Sequence, residues 1–136
     1  MEKIARGDGH LFFHSQSAIF DTLVIDPCAK SYVKAAQSLL GAATIGEARK
    51  DHIYGDRCKR QDYLFFPVVV ESFGGMGVRG RDLFDKIEEE GGLNGVRHIH
   101  GMKIKTFLLR ALAFTLQKGN ASLAVHGSKR SRRRLQ

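Results

Sequence analysis

Cysteine is scarce here, with Cys28 and Cys58 alone among 136 residues. Two thiols cannot build the disulfide framework that staples a small secreted domain, and their separation matches no zinc-ligand spacing. A reduced, intracellular compartment is the default for such a chain. Long apolar runs are missing as well. The most apolar helical segment, Ile104 to Leu116, is interrupted by Arg110 and too short to cross a bilayer, and Met1 to Arg6 has no signal-peptide core. The chain therefore reads as soluble, with no membrane partner. Internal repeats are absent, which excludes solenoids and propellers.

Acidic charge is also short: 14 Asp and Glu face 22 Lys and Arg, for a net charge of +8. Five of the basic groups, Lys129, Arg130, Arg132, Arg133 and Arg134, fall in the last eight residues, and without those five +8 drops to +3. Such a tail attracts phosphate backbones through counterion release or serves as a nuclear address, against the plain alternative of a solvated, disordered end. The division expected is a domain over residues 1–127 and a basic disordered tail over 128–136. At 43% hydrophobic, the domain has enough apolar material to build a core without staples.

Turn and periodicity signals give the order β, β, α, α, β, α, α. Leu11 to Phe13 and Ala18 to Ile25 read as strands around a polar hairpin loop, His14 to Ser17. Asp26-Pro27 starts a helix that Gly41 ends, with Ser31 to Leu40 as its body. Thr44 and Glu47 have capping-box spacing and open a second helix reaching about Arg60. Its charged face carries Arg49, Lys50, Arg57, Lys59 and Arg60, either as a solvated surface or as one that meets phosphates. Tyr63 to Glu71 is nearly continuous in apolar residues from Leu64 on, as in a strand buried on both faces, and it leaves Glu71 at the strand's C-terminal end, where α/β sheets place their sites. Helices follow from Val78 to Glu90 and from Ile104 to Leu116, the latter as a core element. The fold class expected is mixed α/β (α+β), a small central sheet flanked by helices.

Gly75-Met76-Gly77-Val78-Arg79-Gly80 spells the G-x-G-x-x-G of dinucleotide sites between a strand and a helix. The second parallel strand ending in an acid does not follow, so the glycines read as tight turns. A phosphate of a nucleic acid at this helix start remains chemically reasonable. His10 with His14, and His98 with His100, lie around a strand and in a loop, where their spacing does not converge two rings on a metal. Asp8, Asp21 and Glu71 precede, interrupt and end three successive strands. Neighbouring strands can gather such acids around magnesium, which orients a water and stabilises charge on a phosphodiester, with Lys50 near the attacking or leaving oxygen. For bare acids at strand ends, simple solvation is the commoner role.

Three stretches, with a fourth near the end, change that balance. Arg6-Gly7-Asp8 followed by Ile19-Phe20-Asp21-Thr22-Leu23-Val24-Ile25-Asp26-Pro27 looks like Arg-Pro-x-Asp followed by Phe-Asp-Val-Thr-Val-Thr-x-Pro. Ser31-Tyr32-Val33 with Ala35, Ala36, Glu47 and Lys50 looks like Pro-Ser-Tyr and an alanine-rich helix. Phe66 to Gly74 looks like Val-Pro-Phe-Val-Val-Glu-Thr-Phe-Gly, and Leu116 to Ala121 looks like Leu-Gln-Arg-Gly-Asn-Ala. From Arg6 to about His126 the chain thus resembles the segment after the reverse transcriptase in eukaryotic retroelement polyproteins, itself similar to restriction-endonuclease-like PD-(D/E)xK nucleases.

The resemblance implies a restriction-endonuclease-like sheet, Mg2+ held by Asp8 and Asp21, and catalysis by Asp21 with Lys50 and Glu71. It also implies DNA or RNA as partner, met by Arg49, Arg57, Lys59, Arg60 and the tail, and a reverse transcriptase portion that lies outside this chain. Two departures weigh on activity. Leu23 occupies the place two residues beyond the second acid where such nucleases keep a lysine or another polar group, and Thr22 points to the opposite face unless a bulge restores it. Gly7 stands where the family has proline. The expected function is a retroelement-derived nucleic-acid-binding domain with Mg2+-dependent DNA cleavage in prospect or in decay. The alternative is a noncatalytic nucleic-acid-binding or interaction module.

Overall fold

The computed structural model describes residues 7–134, and side chains through residue 122. β1 (Gly9–Phe12) and β2 (Ser17–Ile25) form an antiparallel hairpin in which Gly9 faces Phe20 and Phe12 faces Ser17. β3 (Leu64–Glu71) runs parallel to β2 on its other side, from Ala18 opposite Leu64 to Ile25 opposite Glu71. The sheet is therefore three-stranded with β2 in the centre. Parallel neighbours need a long crossover. Here it is supplied by α1 (Gly41–Lys50), a π-helical stretch (Asp51–Gly55) and α2 (Asp56–Arg60), continuous in the chain. α3 (Val78–Glu89), a two-residue hairpin of β4 (His98–Ile99) and β5 (Met102–Lys103), and α4 (Ile104–Arg134) complete the order. The chain is a mixed α/β domain with a small sheet and helices.

Alternation along β3 explains why its sequence is apolar throughout. Phe65 packs with Ile19 and Cys58, and Val69 with Ile25, Ala42 and Ala43, on the face covered by α1 and α2. Val68 and Val70 turn the other way, onto Met76, Leu83, Ile87 and Ile104 of the α3 and α4 side. Full burial of a side chain such as Val69 or Ile19 contributes about 1.5–3 kcal/mol. Among the described residues no strand lies beside the outer edge of β3, and its polar groups are met piecemeal. The Phe65 carbonyl accepts from Arg79 Nη2 at 2.8 Å, the Val69 carbonyl from the Gly77 N–H at 2.9 Å, and the Glu71 N–H donates to the Gly75 carbonyl at 2.7 Å. Pro67, between them, has no N–H to leave unpaired.

Three sequence expectations need correction. Ser31 to Leu40 is not an α-helix: it is a run of turns with one short 3-10 segment, Ala35–Gln37, and Gly41 opens α1 instead of ending its predecessor. None of those ten residues is buried, and Leu39 is 93% exposed, so a helix there would have had no face to pack. Leu40 takes the left-handed conformation (φ 56°), and a Cβ on Gly41 would sit 1.8 Å from the Ala35 carbonyl oxygen, which is why glycine stands at this start. Thr44 and Glu47 form no capping box: Thr44 lies inside α1 and its hydroxyl donates to the Leu40 carbonyl at 3.0 Å. Finally, α4 is a core element only along one row. Ile104 is buried, Leu108, Leu112 and Leu116 are partly so at fourfold spacing, and Leu109 and Phe114 face outward. The expected boundary at residue 128 falls within α4, where side chains lie outside the described residues.

Candidate active site

Asp21 sits in the middle of the central strand, 5% exposed, on the face covered by α1. A carboxylate taken out of water needs a partner of opposite charge. Lys50, the last residue of α1, supplies it: its ammonium pairs with Asp21 Oδ2. That bond raises the lysine's pKa against the opposing effect of burial, so Lys50 stays a cation. The Lys50 ammonium also lies 5.8 Å from the ring centre of Tyr54, in the π-helical stretch that follows it.

Asp8 precedes β1 and folds its carboxylate onto the next position along β2. Its Oδ2 accepts from the Thr22 N–H at 2.7 Å and from the Thr22 hydroxyl. The hydroxyl bond first, then the backbone bond, hold the Asp8 carboxyl below the usual carboxylate range, and the charge of Lys50 works in the same direction. Asp21 and Lys50 are thus paired directly, while Asp8 is held on Thr22, the next residue along β2, where it feels the charge of Lys50. The register of β2 with β3 runs unbroken from Ala18 to Ile25, so no bulge returns Thr22 to the face of Asp21. Leu23 does share that face, and it packs with Ile25 and Val69 under α1.

Glu71 is not gathered into this cluster. It faces Ile25 in the register whereas Asp21 faces Pro67, four residues away or about 13 Å along the strand. Its Oε1 accepts instead from the Ala43 N–H at 3.2 Å, in the first turn of α1, where a negative group meets the positive end of the helix. Glu47 does the same for α3. It reaches from α1 to accept the Arg79 N–H at 3.0 Å, and burial raises its pKa. The start of α3, where the sequence admits a phosphate, is therefore already filled by a carboxylate: a Cβ on Gly77 would lie 2.1 Å from Glu47 Oε1.

Among the basic residues of the crossover, Arg49 donates to the Tyr32 hydroxyl at 2.6 Å and lies over that ring. Arg57 is half-buried beside Cys58, while Lys59 and Arg60 are exposed on α2. Lys129, Arg130, Arg132, Arg133 and Arg134 carry side chains outside the described residues. Sequence reasoning missed Thr22 as the anchor of Asp8, and it missed the Glu47–Arg79 contact. A basic residue in the first turn of α3, against the helix dipole, was the available signal that an acid would come to meet it.

Among the described residues no three His, Cys, Asp or Glu side chains converge where a metal could be held. A cation at this cluster would rest on Asp8 and Asp21 and keep most of its waters. That donor set suits magnesium, which uses one or two carboxylates and sheds water reluctantly. No helix among the described residues is long and apolar enough to cross a membrane. Comparison with protein-family models, curated proteins and solved structures finds no match for the chain.

Proposed function

We propose that this chain is a nucleic-acid-binding domain of the retroelement endonuclease-like class, and that Asp8, Asp21 and Lys50 are its centre for Mg2+-dependent phosphodiester cleavage. The observation that carries this reading is the buried Asp21 carboxylate, mid-strand, paired with Lys50 and neighboured by Asp8. A carboxylate and an ammonium in the middle of a sheet cost desolvation that an apolar pair of the same size would avoid, so a role beyond packing is the economical explanation. When bound, magnesium would orient a water and stabilise charge developing on the phosphate. Asp8 and Asp21 would hold it. Lys50 would move from Asp21 toward the negative charge of the backbone, on the flexible stem that distinguishes lysine from arginine.

A second reading has its own support. Leu23 is committed to the core and Glu71 to the start of α1, which leaves a two-acid, one-lysine cluster in which Asp21 is paired with Lys50 and Asp8 is bonded to Thr22 without metal. On that basis the domain binds nucleic acid and does no chemistry. Melting with and without millimolar Mg2+ separates the two. The first reading expects the ion to raise the melting temperature of the natural chain and to leave Asp21→Asn unmoved, because a ligand stabilises only the state that binds it. The second expects neither protein to respond.

A further inference from the structure

One face of β1 carries aromatic rings that the cluster at Asp21 does not use: Phe12 and His10 are exposed, and half-buried Tyr63 ties them to the core. Phe12 is 80% exposed. His10 stacks on it, with ring centres 4.5 Å apart and planes 26° from parallel, and Tyr63 meets His10 edge-on at 5.1 Å. The arrangement is braced from beneath: Tyr63 packs on the buried group of Ile19, Cys58 and Phe65, and Tyr54 packs on the same group. His10 lies directly opposite Ile19. Asp21 is two residues beyond Ile19 and four beyond Ser17, which faces Phe12, so the rings share one face of the sheet with the Asp21–Lys50 pair, His10 about 7 Å and Phe12 about 13 Å from it along the strand. Tyr63 and Lys59 also line a common cleft of about 360 Å³, together with Asp51, Asp62 and Arg79.

Exposed rings on a sheet face, with Lys59 in the cleft beside Tyr63, are the chemistry that receives unpaired bases: a base lies on an aromatic ring while the backbone meets positive charge. A duplex keeps its base faces stacked on one another and offers rings nothing comparable. We propose that Phe12, His10 and Tyr63 form a stacking platform for unpaired bases, and that the nucleic acid bound by this domain is single-stranded where it crosses β1. The proposal rests on the nucleic-acid reading above and specifies the substrate class of that site. The platform leads a strand toward the Asp21–Lys50 pair with its bases held and its phosphates free.

The test is fluorescence anisotropy at one fixed salt concentration, using a labelled single strand and a closed hairpin duplex of the same sequence. Phe12→Ala removes a solvent-facing ring and is expected to leave the fold intact. Single-strand affinity is expected to fall about tenfold in Phe12→Ala, to hold in Phe12→Trp, and duplex affinity to stay within about twofold throughout. An unchanged single-strand affinity in Phe12→Ala, or equal losses for both ligands, overturns the platform. So does sedimentation showing that Phe12 joins two copies of the chain while affinity is untouched. Failure of the natural chain to bind either ligand overturns the parent reading, whereas duplex binding without single-strand binding overturns the platform alone.

Discussion

Asp21 and Lys50 occupy positions that apolar residues could fill with less desolvation, and each depends on the other. Removing one partner leaves a buried charge alone. Asp21→Ala is expected to destabilise the fold by about 3 kcal/mol, at the lower end of the range for broken buried pairs because Lys50 retains some contact with solvent. The double change Asp21→Leu with Lys50→Met is expected to unfold in urea near the natural midpoint. A double change as damaging as the single one would mean that the pair holds the fold together rather than serving a site. Legibility at this scale was partial. The resemblance of short stretches points to Asp8, Asp21 and Lys50, and the structure pairs two of them, Asp21 with Lys50; yet Lys50 sits in a run of surface charges, and only the crossover geometry turns it inward. Glu71 illustrates the converse: an acid at a strand end looks like a ligand until the neighbouring helix start claims it.

At the scale of elements, two carboxylates tie the domain together, Glu71 of β3 to the start of α1 and Glu47 of α1 to the start of α3. Burial raises the pKa of Glu47, the first of its causes, so the folded chain holds this proton more tightly than the unfolded chain. Stability from this group is therefore greatest at low pH, falls as pH rises from the unfolded carboxyl value near 4.3 through the higher folded one, and stays reduced above it. Glu47→Gln keeps an oxygen for the Arg79 N–H and removes the buried charge. Its urea midpoint is expected to exceed that of the natural chain at pH 7 and to lose that advantage near pH 4; a lower midpoint at pH 7 would contradict the assignment. The strands β1 to β3 and α3 were legible because apolar periodicity and flanking glycines agree with their burial, whereas β4 and β5, two residues each, read as a loop. The segment Ser31 to Leu40 was not, because its helical spacing has no partner surface, and spacing alone does not reveal what an element will pack against. The aromatic array on β1 was equally hidden, since it joins residues 10, 12 and 63 across the sheet.

For the whole molecule, charge distribution and chemistry separate along the chain. The last eight residues carry five of the basic groups, while the acid–lysine cluster lies in the sheet. If the terminal arginines supply phosphate contacts, removing residues 129–136 weakens binding and flattens its salt dependence by about 0.7–0.9 logarithmic units per lost contact. Binding that keeps its salt slope would assign the contacts to Arg49, Arg57, Lys59 and Arg60 on the crossover. Neither outcome touches the proposed cleavage centre, which must be read by its own chemistry. Nicking of supercoiled plasmid by the purified chain is the direct measurement, run with Mg2+, with chelator, and with Asp21→Asn. The account predicts nicking that requires Mg2+ and disappears in Asp21→Asn while DNA binding persists. A folded natural chain that binds the plasmid and leaves it supercoiled, or a variant that nicks as fast as the natural chain, would contradict it.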